Sequence, residues 1–491
     1  MINRLSRKLE EIFGMDLRAI AAFRVALGAI LLYDAFSRLV TAGDFLSDSG
    51  TLHRSLAAVM SNPWNFSLHM MAGSVFLQGA FLILSAAAAF FLLIGWRTRL
   101  VALVCWVLLV SVQVRNPLIL NGGDYTLRLF LFWSLFLPLG ARGSVDAICR
   151  PQEKARSPIV FSAATVAMMV QLVSIYAFTF YLKSKTPEWV DGAAIYYVLN
   201  QETLPLNVVL LSHPALLSRL THAVYYFEFW GPALLFFPVF AVPMRTFAVL
   251  GFILMQAGFG VCIRLGFFPW TMSAVMLLFL PSPFWDRLEE AGRGKLNQAA
   301  AFGRRGAAWL GRFGSEAAGW RPTRLSGIAV AALAVYVFFW NVAAVVPVFC
   351  FPTRISWLGP LLHVDQWWSM YAPPGKQVYW FSIPAELDDG SRIDLYTMDD
   401  PEEWKTRRLP HPRFMNRHWI CYMNNIAVYQ GVYGSHSGSL AAYLVRDWNK
   451  HHTGKRRIRK IEVYVISRAI PLPGQPHPEA LRQILWTLEW P

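Results

Sequence analysis

The stretch VFSAATVAMMVQLVSIYAFTFYLKSKTPEWVDGAAIYY, Val160 to Tyr197, decides the fold. Its first two dozen residues are apolar and long enough to cross a bilayer, which takes about 20 such residues at about 1.5 Å of rise each. The run ends on Lys183 and Lys185, continues through Trp189, and turns amphipathic over AAIYYVL, Ala193 to Leu199. It therefore reads as a membrane span with an ammonium group at one end.

The whole chain has the same character. Of its 491 residues 55% are hydrophobic, with 20 Trp and 35 Phe, and this lies far outside the composition of soluble domains. The net charge of +15 sits mainly in short segments between apolar runs and in the C-terminal third, so a membrane surface explains it better than nucleic acid, for which no module is present. No Cys/His spacing reads as a zinc or haem site. Cys350 and Cys421 both fall in the part assigned below to the outer face, where a disulfide between them is chemically permitted.

Residues 1–16 place Ile2, Leu5, Leu9, Ile12 and Phe13 on one helical face and Arg4, Arg7, Lys8, Glu10 and Glu11 on the other, as in a helix lying among headgroups. This segment lacks the continuous apolar core of a cleavable signal peptide. About nine windows then qualify as spans within residues 17–348: roughly 17–40, 72–95, 100–120, 126–141, 159–183, 217–242, 246–264, 267–284 and 325–348. With the N-terminus inside, the inner segments Arg4–Arg18, Arg97–Arg99, Arg142–Arg156, Arg245 and Asp286–Arg324 are all basic. The outer segments are acidic, near neutral or very short. The inner segment Glu290–Arg321 reads as disordered. An odd number of spans places residues 349–491 outside, and the basic inner loops orient the chain with its N-terminus on the cytoplasmic side.

Residues 349–491 have the composition of a folded domain. VYWFSIPAEL and DDGSRIDLYTM, Val378 to Met398, are β-rich runs joined at an Asp-Gly turn, and KIEVYVISRAI, Lys460 to Ile470, alternates again. SGSLAAYLVRDWNKHH, Ser437 to His452, is helical, with Leu440, Tyr443, Leu444 and Trp448 on one face. The expected fold is thus a polytopic α-helical membrane bundle with a C-terminal α+β or β-sandwich-like extracytoplasmic domain.

Ionisable groups inside spans are costly and face a bundle interior or a wet cavity. Asp34, Arg115, Asp124, Arg128, Lys183 and Glu228 all fall toward the outer half, as an outward-opening cavity would require, while Arg24 lies deeper. Arg24 and Asp34 are about 15 Å and about 80° apart on one helix and so need partners elsewhere. Glu228 or Asp124 is available to Arg24, and Arg128 to Asp34. These groups read either as interhelical ion pairs or as walls of a cavity. The loop RNPLILNGGDY, Arg115 to Tyr125, reads either as a tight outer turn or as a lining for a small anionic or quinone-like head group. Lys183 reads either as a snorkelling ammonium beside interfacial Trp189, or as a desolvated amine able to take a proton, with Ala193–Leu199 as a lid over it.

Seven stretches, FRVALGAILLYDAFSR from Phe23, FLSDSGTLHR from Phe45, GWRTR from Gly95, RNPLILNGGD from Arg115, FLPLGARGSVD from Phe136, KSKTPEWVDGAAIYY from Lys183 and DQWWSMYAPP from Asp365, together resemble the HTTM family. This is the horizontally transferred transmembrane domain, related to the vitamin K-dependent gamma-carboxylases. The resemblance implies a membrane enzyme in which a lysine near a Trp-Val-Glu-Gly segment deprotonates a reduced quinone of vitamin K or menaquinone type. Lys183, ahead of Lys185, takes that role here, before Trp189–Gly192. Asn121, Asp124, Arg128 and Trp189 are the implied cofactor-binding residues, and Arg24, Asp34, Arg115, Glu228 and Gln256 shape the cavity. Two positions depart from the carboxylase pattern: Gly123 replaces a loop histidine, and Gln256 stands where a histidine is common. The resemblance further implies a secreted peptide or protein as substrate of the outer domain, alongside membrane lipid. The alternative is a non-carboxylating assembly or maturation factor that binds a lipid or secreted partner.

Overall fold

The computed structural model describes residues 2–149, 158–313, 323–346, 348–366 and 368–490. Arg156, Arg321 and Trp367 lie outside the described residues, as do the side chains of Ile2, Arg4, Leu5 and Arg7. The chain consists of a helical membrane part and a C-terminal β-sheet domain.

Among the described residues six helices are long and apolar enough to cross a membrane: Leu17–Val40, Val75–Ile94, Thr98–Arg115, Ala163–Ser184, Ala241–Cys262 and Arg324–Val345. The other three expected windows also form helices. Pro214–Leu235 is long but diluted by Arg219, His222 and Glu228, Gly122–Ser134 has 13 residues, and Phe268–Phe279 is short. Burial separates centre from flank. Thr98–Arg115 is 72% buried across its apolar window, whereas Arg324–Val345 is 22% buried and exposes Leu325 and Ile328. Phe23, Phe130, Trp133, Met168, Phe252 and Met272 fill the space between helices. In hydrocarbon such packing contributes by contact and shape rather than by removal from water.

Residues expected to be disordered are helical as far as Gly311, in Ser282–Gly311. Alanine, leucine, lysine, arginine and glutamine, which lose little on entering a helix, dominate that stretch.

The C-terminal sheet is antiparallel and built on the long strand Ile458–Ala469. One edge of that strand pairs with Gln377–Ser382 and then Pro384–Leu387, and the other with Leu481–Glu489. Arg392–Asp394 closes a hairpin with Pro384–Leu387 across the Asp-Gly turn, where Gly390 has φ +82. The helices Arg417–Val428 and Ser437–His451 pack on one face of this single sheet, so the domain is α+β and the sandwich alternative is not realised. That face shares its core with Phe45, Leu52, Leu118 and Ile119 from segments that join helices of the membrane part. The opposite face, through Val378, Trp380 and Ile466, packs on Tyr197 of the helix Ala194–Gln201. Cys350 and Cys421 are both free, the first exposed and the second buried, so the permitted disulfide is absent.

Candidate functional site

Lys183 lies in the last turn of Ala163–Ser184 and is 3% exposed. It points inward: its Nζ donates to Glu228 Oε1 and Oε2 at 2.8 and 2.7 Å, and Glu228 is 4% exposed. Trp189 stacks over the same amine with its ring centre 3.9 Å from Nζ, and its indole Nε1 donates to the Tyr371 carbonyl at 2.8 Å. The snorkelling alternative for Lys183 is thereby removed, and Trp189 is a buried cover rather than an interfacial anchor. Lys185 is exposed and lies over the Tyr181 ring.

The pair opens on a cavity of ≈ 2010 Å³ lying between the helices and the sheet domain. Asn121, Trp189, Glu228 and Gln256 share its wall with Lys183. Ile195, Val198 and Leu199 line it as well, so the helix Ala194–Gln201 covers the site on one face and carries the sheet on the other. Gly192, at φ +83, turns the chain into that helix. Gln256 Nε2 donates to the Tyr176 hydroxyl at 3.2 Å, while Gln256 Oε1 and Thr179 Oγ1 are buried without partners. Met370 and Tyr371, at φ 38 and 61, hold strained left-handed backbone beside the cavity. Gln366 and Trp368, from the same motif, join Gln171 and Asn341 of two spans.

The remaining site residues are elsewhere. Asp34 pairs with Arg38 at 2.9 Å and with Arg417 at 3.1 Å, not with Arg128. Asp124 accepts from Arg38 at 2.6 Å and Arg417 at 2.7 Å and from the Asn121 backbone at 3.0 Å, so two acids and two arginines form a closed quartet. Arg38 sits one turn from Asp34, and Arg417 arrives from the C-terminal domain. Burial opposes the charge on Arg417, but Asp124 and Asp34 more than offset this and raise its pKa. Arg24 finds neither Glu228 nor Asp124. It donates to the Leu139 and Gly143 carbonyls at 3.3 and 2.5 Å. Arg115 holds the loop between the first two spans through the Ser47 and Leu52 carbonyls, and Arg128 holds Asp365. The polar groups thus divide into a cavity cluster and a set of structural clamps.

Gly123 has no room for a side chain, since a Cβ there would lie 2.5 Å from the Phe268 backbone nitrogen. Cys421 also lines the cavity, but burial pushes its thiol up to about 11, which leaves little thiolate at neutral pH.

The HTTM domain model matches residues 14–285, which contain Lys183, Trp189, Glu228 and Gln256. The chain belongs to the HTTM domain family. A similar protein is the uncharacterized protein YitO of Bacillus subtilis (strain 168), 25% identical over 196 residues that make up 38% of this chain and 62% of YitO. The chain therefore spans less than two thirds of that relative's length. No solved structure matches this HTTM protein.

Proposed function

We propose that this HTTM protein is a quinol-linked membrane enzyme of the gamma-carboxylase type, acting from the outer half of its bundle on a secreted peptide or protein. The observation that carries the reading is the inward amine of Lys183, paired with Glu228 under Trp189 at the wall of a large cavity.

The residues present fit a reduced quinone. The lining is largely apolar, as a prenylated ring requires, and Gln256 Oε1 is a buried acceptor without a donor. Lys183, Trp189 and Gln256 would hold the ring, with Asn121 also in the lining; Arg128 and Asp124 are committed to other partners and do not line the cavity. A reduced quinone, when bound, supplies reducing power toward oxygen and the strong base this generates. Movement of one proton from Lys183 Nζ to a Glu228 oxygen leaves a neutral amine and a carboxylic acid, and the amine lone pair is then a base inside a water-poor site. The helix Ala194–Gln201 keeps water from the pair, and the sheet domain presents substrate from above.

In this reading the chain makes nine crossings with its N-terminus inside, which would carry residues 349–491 to the extracytoplasmic side of the inner membrane; the basic segments assigned to the inner face support that orientation. A second reading, a non-carboxylating maturation factor that binds a lipid or secreted partner, is favoured by Gly123, which excludes a relay histidine, and by Gln256.

The test is to incubate purified protein with reduced menaquinone or vitamin K and labelled bicarbonate. Epoxide formation that is lost in Lys183→Ala supports the enzyme. Absence of turnover with every quinol, together with full cellular function of the variant, would end that reading in favour of the second.

A further inference from the structure

The helices Pro214–Leu235 and Ala241–Cys262 follow one another across the short connection 236–240. On the connection side they are in tight contact. A Cβ at Gly231 would lie 2.6 Å from the Phe252 ring, and one at Gly251 would lie 2.5 Å from the Phe227 ring. Two turns farther along, about 10 Å by helical rise, a Cβ at Gly258 would meet nothing within 4 Å. Beyond the Phe227–Gly251 contact, on the far side of Glu228 from the connection, the space beside Gly258 is open, and this gap is the splay of the two helices.

The splay is continuous with the cavity. Leu220, Ala223, Leu254 and Gly258 are exposed on the flank of the protein and also line the cavity whose buried end holds Lys183 and Glu228. None of these four side chains offers a hydrogen bond, and Leu254 is 75% exposed. Ala241–Cys262 is one of the six helices apolar enough to span the membrane, so its exposed face meets hydrocarbon. A peptide backbone entering there would leave its N–H and C=O groups unsatisfied, which hydrocarbon does not tolerate. An alkyl chain meets no such cost.

We propose that this splay is a lateral portal through which an acyl chain of a bilayer lipid enters the cavity and lies along its apolar wall, toward the Lys183–Glu228 pair. The portal goes beyond the quinol reading and stands or falls separately, because its test contains no quinone.

The protein is reconstituted in nanodiscs of phosphatidylcholine bearing a diazirine near the end of one acyl chain, and crosslinked residues are mapped by mass spectrometry. Interior crosslinks are expected on buried cavity residues such as Ile175, Thr179 and Val198, beside flank crosslinks on Leu325 and Ile328. Gly258→Trp fills open space at the portal and is expected to reduce the interior crosslinks at least tenfold while leaving the flank unchanged. Gly327→Trp, also with nothing within 4 Å but on another helix, is expected to change neither. The portal is overturned if the wild-type interior is never labelled, if Gly258→Trp leaves interior labelling intact, or if Gly327→Trp reduces it equally.

Discussion

Glu228 holds the Lys183 amine with both carboxylate oxygens, and the two residues come from different helices and are almost wholly buried. Removal of one member leaves the other charge uncompensated, which costs about 3–5 kcal/mol, whereas replacement of both by apolar groups is often neutral. Lys183→Ala and Glu228→Gln are each expected to lower the thermal unfolding midpoint in detergent markedly. The double variant Lys183→Met/Glu228→Leu is expected to recover most of the loss. Equal midpoints for the wild type and both single variants would mean that the pair is solvated.

The two departures from the carboxylase pattern differ physically. Gly123 abuts the Phe268 backbone, so Gly123→Ala is expected to destabilise by about 1–3 kcal/mol through overpacking. Gly123→His should prevent accumulation of folded protein. Gln256 faces the cavity, and Gln256→His should fold with a near-native midpoint. Thermal unfolding of the three variants checks the order.

Three buried histidines lie outside the spans. Burial is the main cause that holds His69 at about 4 and His363 at about 3, with Arg128 adding to the effect on His363. Burial, then Arg38 and Arg417, keep His418 well below the ordinary range. Below about pH 6.5 the unfolded chain binds protons that these folded histidines refuse, so their contribution is complete above that value and is lost as pH falls toward 4 and 3. Each contributes a slope of up to about 1.4 kcal/mol per pH unit in that window. Denaturant unfolding at pH 7.5 and pH 5 should show lower stability at pH 5. His363→Asn, which suits the left-handed backbone at φ 51, should reduce the slope. A stability independent of pH over this range would contradict the buried placement.

The orientation proposed for the membrane part can be read with two native thiols. Cys350 is exposed in the region proposed to lie outside, and Cys149 lies in a basic segment proposed to lie inside, with its Sγ 3.4 Å from the Ala307 carbonyl. An impermeant maleimide applied to spheroplasts should label Cys350 and spare Cys149 until the cells are permeabilised. The reverse pattern would invert the topology.

Much of the cavity was legible because ionisable and amide groups are expensive in hydrocarbon and so stand out in an apolar run. Lys183, Glu228 and Gln256 occur in three such runs and meet at one wall, and the amphipathic piece after Trp189 covers them. The clamps were not legible for two reasons. The hydrogen bonds of the Arg24 and Arg115 guanidinium groups go to backbone carbonyls, which every sequence has and no side-chain pattern reveals, with the Asp48 carboxylate 3.5 Å from Arg115. The partner of Asp34 and Asp124 is Arg417, hundreds of residues away in a helix that the strand-rich reading of the outer region did not isolate. Its signal was local: Asn416 caps the helix, and His418, Trp419, Tyr422, Met423 and Ile426 recur at helical spacing. Arg38 was visible as the residue four after Asp34. The sheet domain was legible as strands, but its shared core with Phe45 and Leu118 depends on contacts that only the folded chain makes.

The most direct measurement of whether the buried pair does chemistry, rather than only hold two helices together, is quinol turnover by the folded Lys183→Met/Glu228→Leu protein. With near-native stability restored, the proposed enzyme is expected to have lost epoxide formation by at least a hundredfold even at saturating quinol. Wild-type turnover in that folded double variant would contradict a role for Lys183 as the base.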